Sequence, residues 1–141
     1  MTRLKYVRAD YLMTHYPDVY RSLDEVARVN RATYTMQRCL RAVCLAYGVT
    51  PEEIRSKCRE RHIAVPRHHF CWVVYRNRID MSYPMIARFL NRDHTTIVHS
   101  VEVFEEVKHM MSQEIFAVEK FIHDDASKTL TLNVNRERLT A

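Results

Sequence analysis

The chain reads as an all-α protein, and three observations predict this. One glycine and four prolines punctuate 141 residues at wide intervals. Apolar residues recur at helical spacing: Ile97, Val101, Phe104, Val107, Met111, Ile115, Val118 and Ile122 step by about 3.6 residues on average. Near the centre, two short helical segments flank a tight turn at Asn91-Arg92. Roughly five to seven helices are expected, divided into an N-terminal extension (1–35), a central domain (36–111) and a C-terminal helix and tail (112–141).

Taken in order, the tyrosine-rich start (Tyr6, Tyr11, Tyr16, Tyr20) predicts a short helix broken at Pro17. Ser22-Leu23-Asp24-Glu25 fits a capping box, so a second helix is expected to start there and run towards Asn30. From Met36 a helix carries Leu40, Val43, Cys44 and Tyr47 on one side, with Gly48 suited to end it. Thr50-Pro51-Glu52-Glu53 supplies an N-cap, a proline at the first helical position and a carboxylate at the third. That short helix should dissolve into an irregular basic segment from Lys57 to Val65, and Pro66 should open the next, with Phe70, Val73, Val74 and Asn77 at helical spacing. Trp72 could stack on a base, but its apolar neighbours favour the core. The long stripe allows either one helix to His123 or two meeting near Ser112-Gln113. Asp124-Asp125-Ala126-Ser127 should close the helical region. Thr129 to Asn135 alternates in a strand-like way without a sheet partner and reads as a loosely ordered tail.

Composition removes several function classes. A single glycine, Gly48, leaves no P-loop or dinucleotide fingerprint, since both need several glycines to bring backbone against phosphate. No cofactor is expected. Cys39, Cys44, Cys58 and Cys71 form no C-x2-C pair, which fits a reducing cytoplasm. A zinc site from Cys58, His62, His68 or His69, and Cys71 is conceivable, but the spacings fit no common template and no metal is expected. Nor do His68, His69 and His94 stand in an arrangement that would recruit them for catalysis, so no enzyme is expected. No apolar run is long enough for a membrane span.

Charge is distributed unevenly. The net charge is +5, yet residues 55 to 78 hold Arg55, Lys57, Arg59, Arg61, Arg67, Arg76 and Arg78 against Glu60 alone, a local +6. Residues 102 to 125 carry a local −5. One face tracking phosphates and another turned away would account for this.

The chemistry of a reader lies beside the basic block. Ser82 to Leu90 and Asp93 onward form the layout of a helix-turn-helix, whose second helix reads base edges from its first residues. His94 and Thr95 can donate, accept or touch a thymine methyl. A helix N-terminus also attracts phosphate. By spacing alone, Asp93 could equally cap an ordinary solvated helix.

The run Arg92-Asp93-His94-Thr95-Thr96-Ile97-Val98-His99 resembles the signature of the C-terminal DNA-binding domain of the bacterial replication initiator DnaA. The resemblance extends from about Met36 to about Glu106 and includes Tyr47-Gly48-Val49-Thr50, Ser56-Lys57, Arg59, Ala64, Pro66-Arg67 and Pro84 in the family's order. It implies a Trp-repressor-like helix-turn-helix and assigns minor-groove entry to Arg59. It places Asp93 to Thr96 in the major groove of a short A/T-rich box, and gives Arg67 and Arg92 phosphate or near-base contacts. Lys57, Arg61, Ser82 and His99 complete the expected DNA-binding set. Three departures bear on which box is read. Val65 and Cys58 stand where the family has basic residues, and the turn is one residue shorter, with Leu90-Asn91 in place of two glycines.

The expected function is sequence-specific binding of double-stranded DNA by a stand-alone bacterial, prophage or phage protein without its own ATPase. It would regulate replication or transcription by occupancy, in the cytoplasm on the nucleoid. The rival reading is a protein-interaction module, an adaptor or an initiator antagonist, on the same scaffold. The 97–122 stripe either covers other helices of the chain or forms a homodimer or partner surface.

Overall fold

The computed structural model describes residues 9–140, with side chains at residues 11 and 13–129. Among the described residues there are eight α-helices and no strand, so the fold is all-α with more helices than the sequence suggested. Tyr6 lies outside the described residues, as do the side chains of Leu130, Leu132 and Val134.

Helix α1 (Ala9–His15) stops before Tyr16, and α2 (Pro17–Thr33) starts at the proline. The expected start at Ser22 is therefore wrong. Pro17 presets the backbone at the first position and Asp18 complements the dipole there, so Ser22 falls inside a helix already under way. No residue of α2 is buried.

Helix α3 (Met36–Tyr47) ends as expected at Gly48, whose φ of 68° is a left-handed conformation that costs glycine little. The capping box of α4 (Pro51–Arg55) is formed. Glu53 N–H donates to Thr50 Oγ1 and Thr50 N–H donates to Glu53 Oε1, both at 3.1 Å.

Helix α5 (Arg61–Asn77) begins a turn earlier than Pro66. The Glu60 carbonyl accepts from Ile63 and Ala64 N–H at 3.0 and 2.8 Å, closing a first turn that the sequence does not announce. Pro66 lies inside α5, where its missing N–H removes one helical bond. Six successive residues, Phe70 to Tyr75, are buried, so α5 is enclosed on every side. Helices α3 and α7 (His94–Val107) pack on it, α6 (Tyr83–Leu90) packs on α7, and α8 (Ser112–Thr140) lies on α3. Trp72 belongs to this core, and its Nε1–H donates to Glu105 at 2.6 Å.

The long stripe divides at a 3-10 turn, Lys108–Met110, giving two helices. Ile97, Val101 and Phe104 of α7 and Val118 and Ile122 of α8 are all buried within the chain. Of the two readings of the 97–122 stripe, their burial fits cover for other helices of the chain. The stripe covers α5 and α3, and Met110, Phe116 and Phe121, which lie off it, stay exposed. The closure expected at Asp124 to Ser127 does not occur either, because α8 runs on to Thr140 through the strand-like segment. A lone strand would leave its peptide groups unpaired, whereas a helix satisfies them internally.

Buried arginines join these helices. Arg38 donates to the Ala32 and Thr33 carbonyls at 2.7 and 3.1 Å, satisfying the end of α2, and to Asp125 of α8 at 2.7 Å. Among the described residues no helix is long and apolar enough to cross a membrane.

Candidate nucleic-acid interface

The helix pair at the centre is built from its turn. Ser82 Oγ accepts from Met85 N–H at 3.4 Å and starts α6, so this residue has a capping role whatever else it touches. At the other end Asn91 takes φ 54°, a left-handed position that asparagine tolerates better than most residues and that glycines would fill in the family pattern. Arg92 N–H then reaches the Ala87 carbonyl at 2.8 Å and Asn91 N–H the Arg88 carbonyl at 3.3 Å, a Schellman closure. Ile86, Ala87 and Leu90 face inward, as do Ile97, Ser100, Val101 and Phe104 of α7.

The opposite side of α7 presents His94, Thr95 and His99 to solvent, with Thr96 half-buried. Asp93 precedes the helix without capping it through its side chain. Its carboxylate accepts from Thr95 Oγ1 at 3.1 Å and lies 3.3 Å from His94 Nδ1, so one acid orients both neighbouring side chains. The first turn of α7 thus offers a donor-acceptor pair held at an exposed helix N-terminus.

Behind it, only residues 57–60 of the expected irregular segment 57–65 lack regular structure, because 61–65 already belong to α5, and Lys57, Arg59 and Arg61 are exposed. Arg67 is not. Only 4% of it is accessible, and its guanidinium donates to four backbone carbonyls: Ile54 at 2.7 Å, Ser56 at 2.8 Å, Cys58 at 2.9 Å and Glu53 at 3.3 Å. A fork of five N–H groups suits a cluster of carbonyls that a sharp bend has left without helical partners. The donors of Arg67, expected at a phosphate or near a base, are bonded within the chain in this structure. Arg92 is intermediate, half-buried with one amino group on the Ser56 carbonyl. Sequence reasoning missed Arg55, whose guanidinium lies 4.8 Å from the Phe89 ring centre and holds the end of α6. No spacing rule signals a contact between residues so far apart in the chain.

The rest of the basic block is also divided. Arg78 pairs with Asp80 at 2.6 and 2.8 Å and donates to the Tyr34 carbonyl at 3.2 Å, while Arg76 lies over Trp72. Burial pushes His68 and His69 down to about 4, so both are neutral scaffold groups, His68 against Ser100 Oγ at 2.8 Å and His69 against Tyr47 Oη at 2.7 Å.

An inward-packed helix pair, a polar and exposed start to its second helix and an exposed basic segment beside it define a helix-turn-helix of the nucleic-acid-reading class. Residues 36–103, just under half of the chain, match the family described as bacterial dnaA protein helix-turn-helix, and that segment is a domain of this family. The chain is also similar to relatives named chromosomal replication initiator protein DnaA. That of Deinococcus radiodurans is 37% identical over 86 residues, 61% of this chain and 18% of the relative. That of Thermoanaerobacter sp. strain X514 is 30% identical over 104 residues, 72% and 23% of the two chains. That of Desulfatibacillum aliphaticivorans is 38% identical over 76 residues, 54% and 16%. The chain spans about a fifth of the length of the curated relatives it matches. No solved structure matches it.

Proposed function

We propose that the protein binds double-stranded DNA sequence-specifically, with the start of α7 in the major groove and the segment 57–61 in the adjacent minor groove. One observation carries this reading. The bond from Arg92, next to Asp93, to the Ser56 carbonyl, next to Lys57, brings the polar helix start and the exposed cations onto one surface. His94, Thr95 and Thr96 then read bases, Arg59 favours a narrow A/T-rich minor groove, and Lys57, Arg61 and His99 lie along the backbone. The relatives are named as replication initiators, which supports a role at an origin, and occupancy of a promoter would use the same contacts. The contacts proposed for these residues involve no nucleotide.

Selection of duplexes from a random pool by the purified chain, followed by mobility shift, tests the proposal. An enriched short A/T-rich box, bound without ATP and lost at high salt, is expected. Uniform affinity for all sequences would leave only backbone binding, and no shift at low salt would reject the reading. A second reading, an adaptor for a protein partner, is favoured by Val19, Val26, Val29 and Phe116, which are exposed apolar side chains. It gains if replacing these by polar residues abolishes function in cells while DNA affinity is unchanged.

A further inference from the structure

We propose that Arg67 and Arg92 are positioning residues that fix the basic segment against the recognition helix, so that both grooves are read by one rigid unit. The inference rests on the DNA-binding reading above. The segment 57–60 has no regular structure of its own, and backbone-to-backbone bonds join it to α5 only at its far end, through the Glu60 carbonyl. Its path is instead defined from behind. Arg67 reaches the carbonyls of Glu53 and Ile54 before the bend, Ser56 at the bend and Cys58 inside the segment. Arg92, in the turn that aims α7, donates to the same Ser56 carbonyl. Arg67 rises from α5 and Arg92 from the helix-turn-helix, so one oxygen ties three elements together. Arg55 adds a contact from the end of α4 to Phe89.

The consequence for recognition is geometric. Arg59 follows Cys58 directly, so displacement of the Cys58 carbonyl moves the minor-groove residue relative to His94 and Thr95. Neither Arg67 nor Arg92 needs to touch DNA to affect which sequence is bound. A buried arginine with its fork spent on carbonyls has little to offer a phosphate, whereas lysine, a single point of charge, cannot span the same carbonyls. Replacing arginine by lysine therefore keeps the charge and removes the geometry.

The test uses the full chain and the duplex selected above, with affinity measured across salt for the native protein, Arg59→Ala, His94→Ala, Arg67→Lys, Arg67→Ala, Arg92→Lys and the double variants. Arg67→Lys is expected to weaken cognate binding about tenfold with an unchanged salt slope, and in that background Arg59→Ala should cost much less than in the native protein, a non-additivity diagnostic of coupling. His94→Ala should keep its full effect, since α7 itself is undisturbed. Circular dichroism reports folding. If Arg67→Lys does not fold, Arg92→Lys, which alters one bond, decides by the same criteria. A slope shallower by about one unit in Arg67→Ala with no coupling to Arg59 would make Arg67 a phosphate contact and overturn the proposal. Unchanged cognate affinity in both lysine variants would overturn it as well. A silent Arg59→Ala in the native protein is a different failure, because it rejects the minor-groove reading on which the inference stands.

Discussion

Lys57, Arg59 and Arg61 stand exposed ahead of and at the start of α5, whereas Arg67, within that helix, and Arg78, just beyond it, turn their guanidiniums inward onto carbonyls and Asp80. The two groups are alike in charge and nearly contiguous in sequence. Burial separates them. An exposed cation keeps its hydration until a phosphate replaces it. A buried one must be bonded within the protein, since an unpaired buried charge is costly. The local charge of a segment therefore overstates its binding capacity wherever arginines hold helix ends together.

The largest expected effect tests the inward group. Arg67→Ala leaves carbonyls of the α4–α5 bend unpaired in the interior and should lower stability by about 3–4 kcal/mol in urea denaturation, whereas Arg59→Ala should change it by less than about 0.5 kcal/mol. Equal and small effects would erase the distinction.

Next in size is a pH effect from the inward side. His68 and His69 have folded pKa values near 4, below the unfolded value of about 6.5, so the unfolded state binds more protons between these limits. Stability should be constant above pH 6.5 and fall as the pH drops towards 4. His69→Gln should flatten that decline in thermal melts. A melting temperature independent of pH over this range would place both rings in solvent.

On the exposed side, His94→Ala or Thr95→Ala should cost about 1–3 kcal/mol on the selected box and little on random DNA, without loss of fold. Equal losses on both DNAs would assign these residues to the backbone. Salt dependence divides the basic block itself. Were most of the +6 available, log K against log salt would slope near −4 to −5, but with Lys57, Arg59 and Arg61 as the main contacts it should be about −3. A steeper slope would return inward arginines to the interface. The smallest effect belongs to Arg76, exposed but lying over Trp72, where alanine should leave DNA affinity unchanged and cost no more than about 1 kcal/mol of stability.

Much of this was legible in the chain because local chemistry decides it. Thr50-Pro51-Glu52-Glu53 caps a helix, Gly48 ends one, and Asp93 to Thr96 announces a polar helix start, since each feature involves residues a few positions apart. The alternation at 129–135 misled because a strand exists only by pairing with another strand, which nothing in the segment itself supplies. Ser22 to Glu25 misled because a capping box acts only where no helix has already begun. By itself, the sequence determined that the protein is helical and where the second helix of its helix-turn-helix starts. Which arginines stand exposed and which are bonded within the scaffold, and that the 97–122 stripe covers α3 and α5, only the tertiary structure decided. A guanidinium's role depends on whether orphan carbonyls lie within reach, and those carbonyls come from bends and helix ends that meet only once the chain is packed.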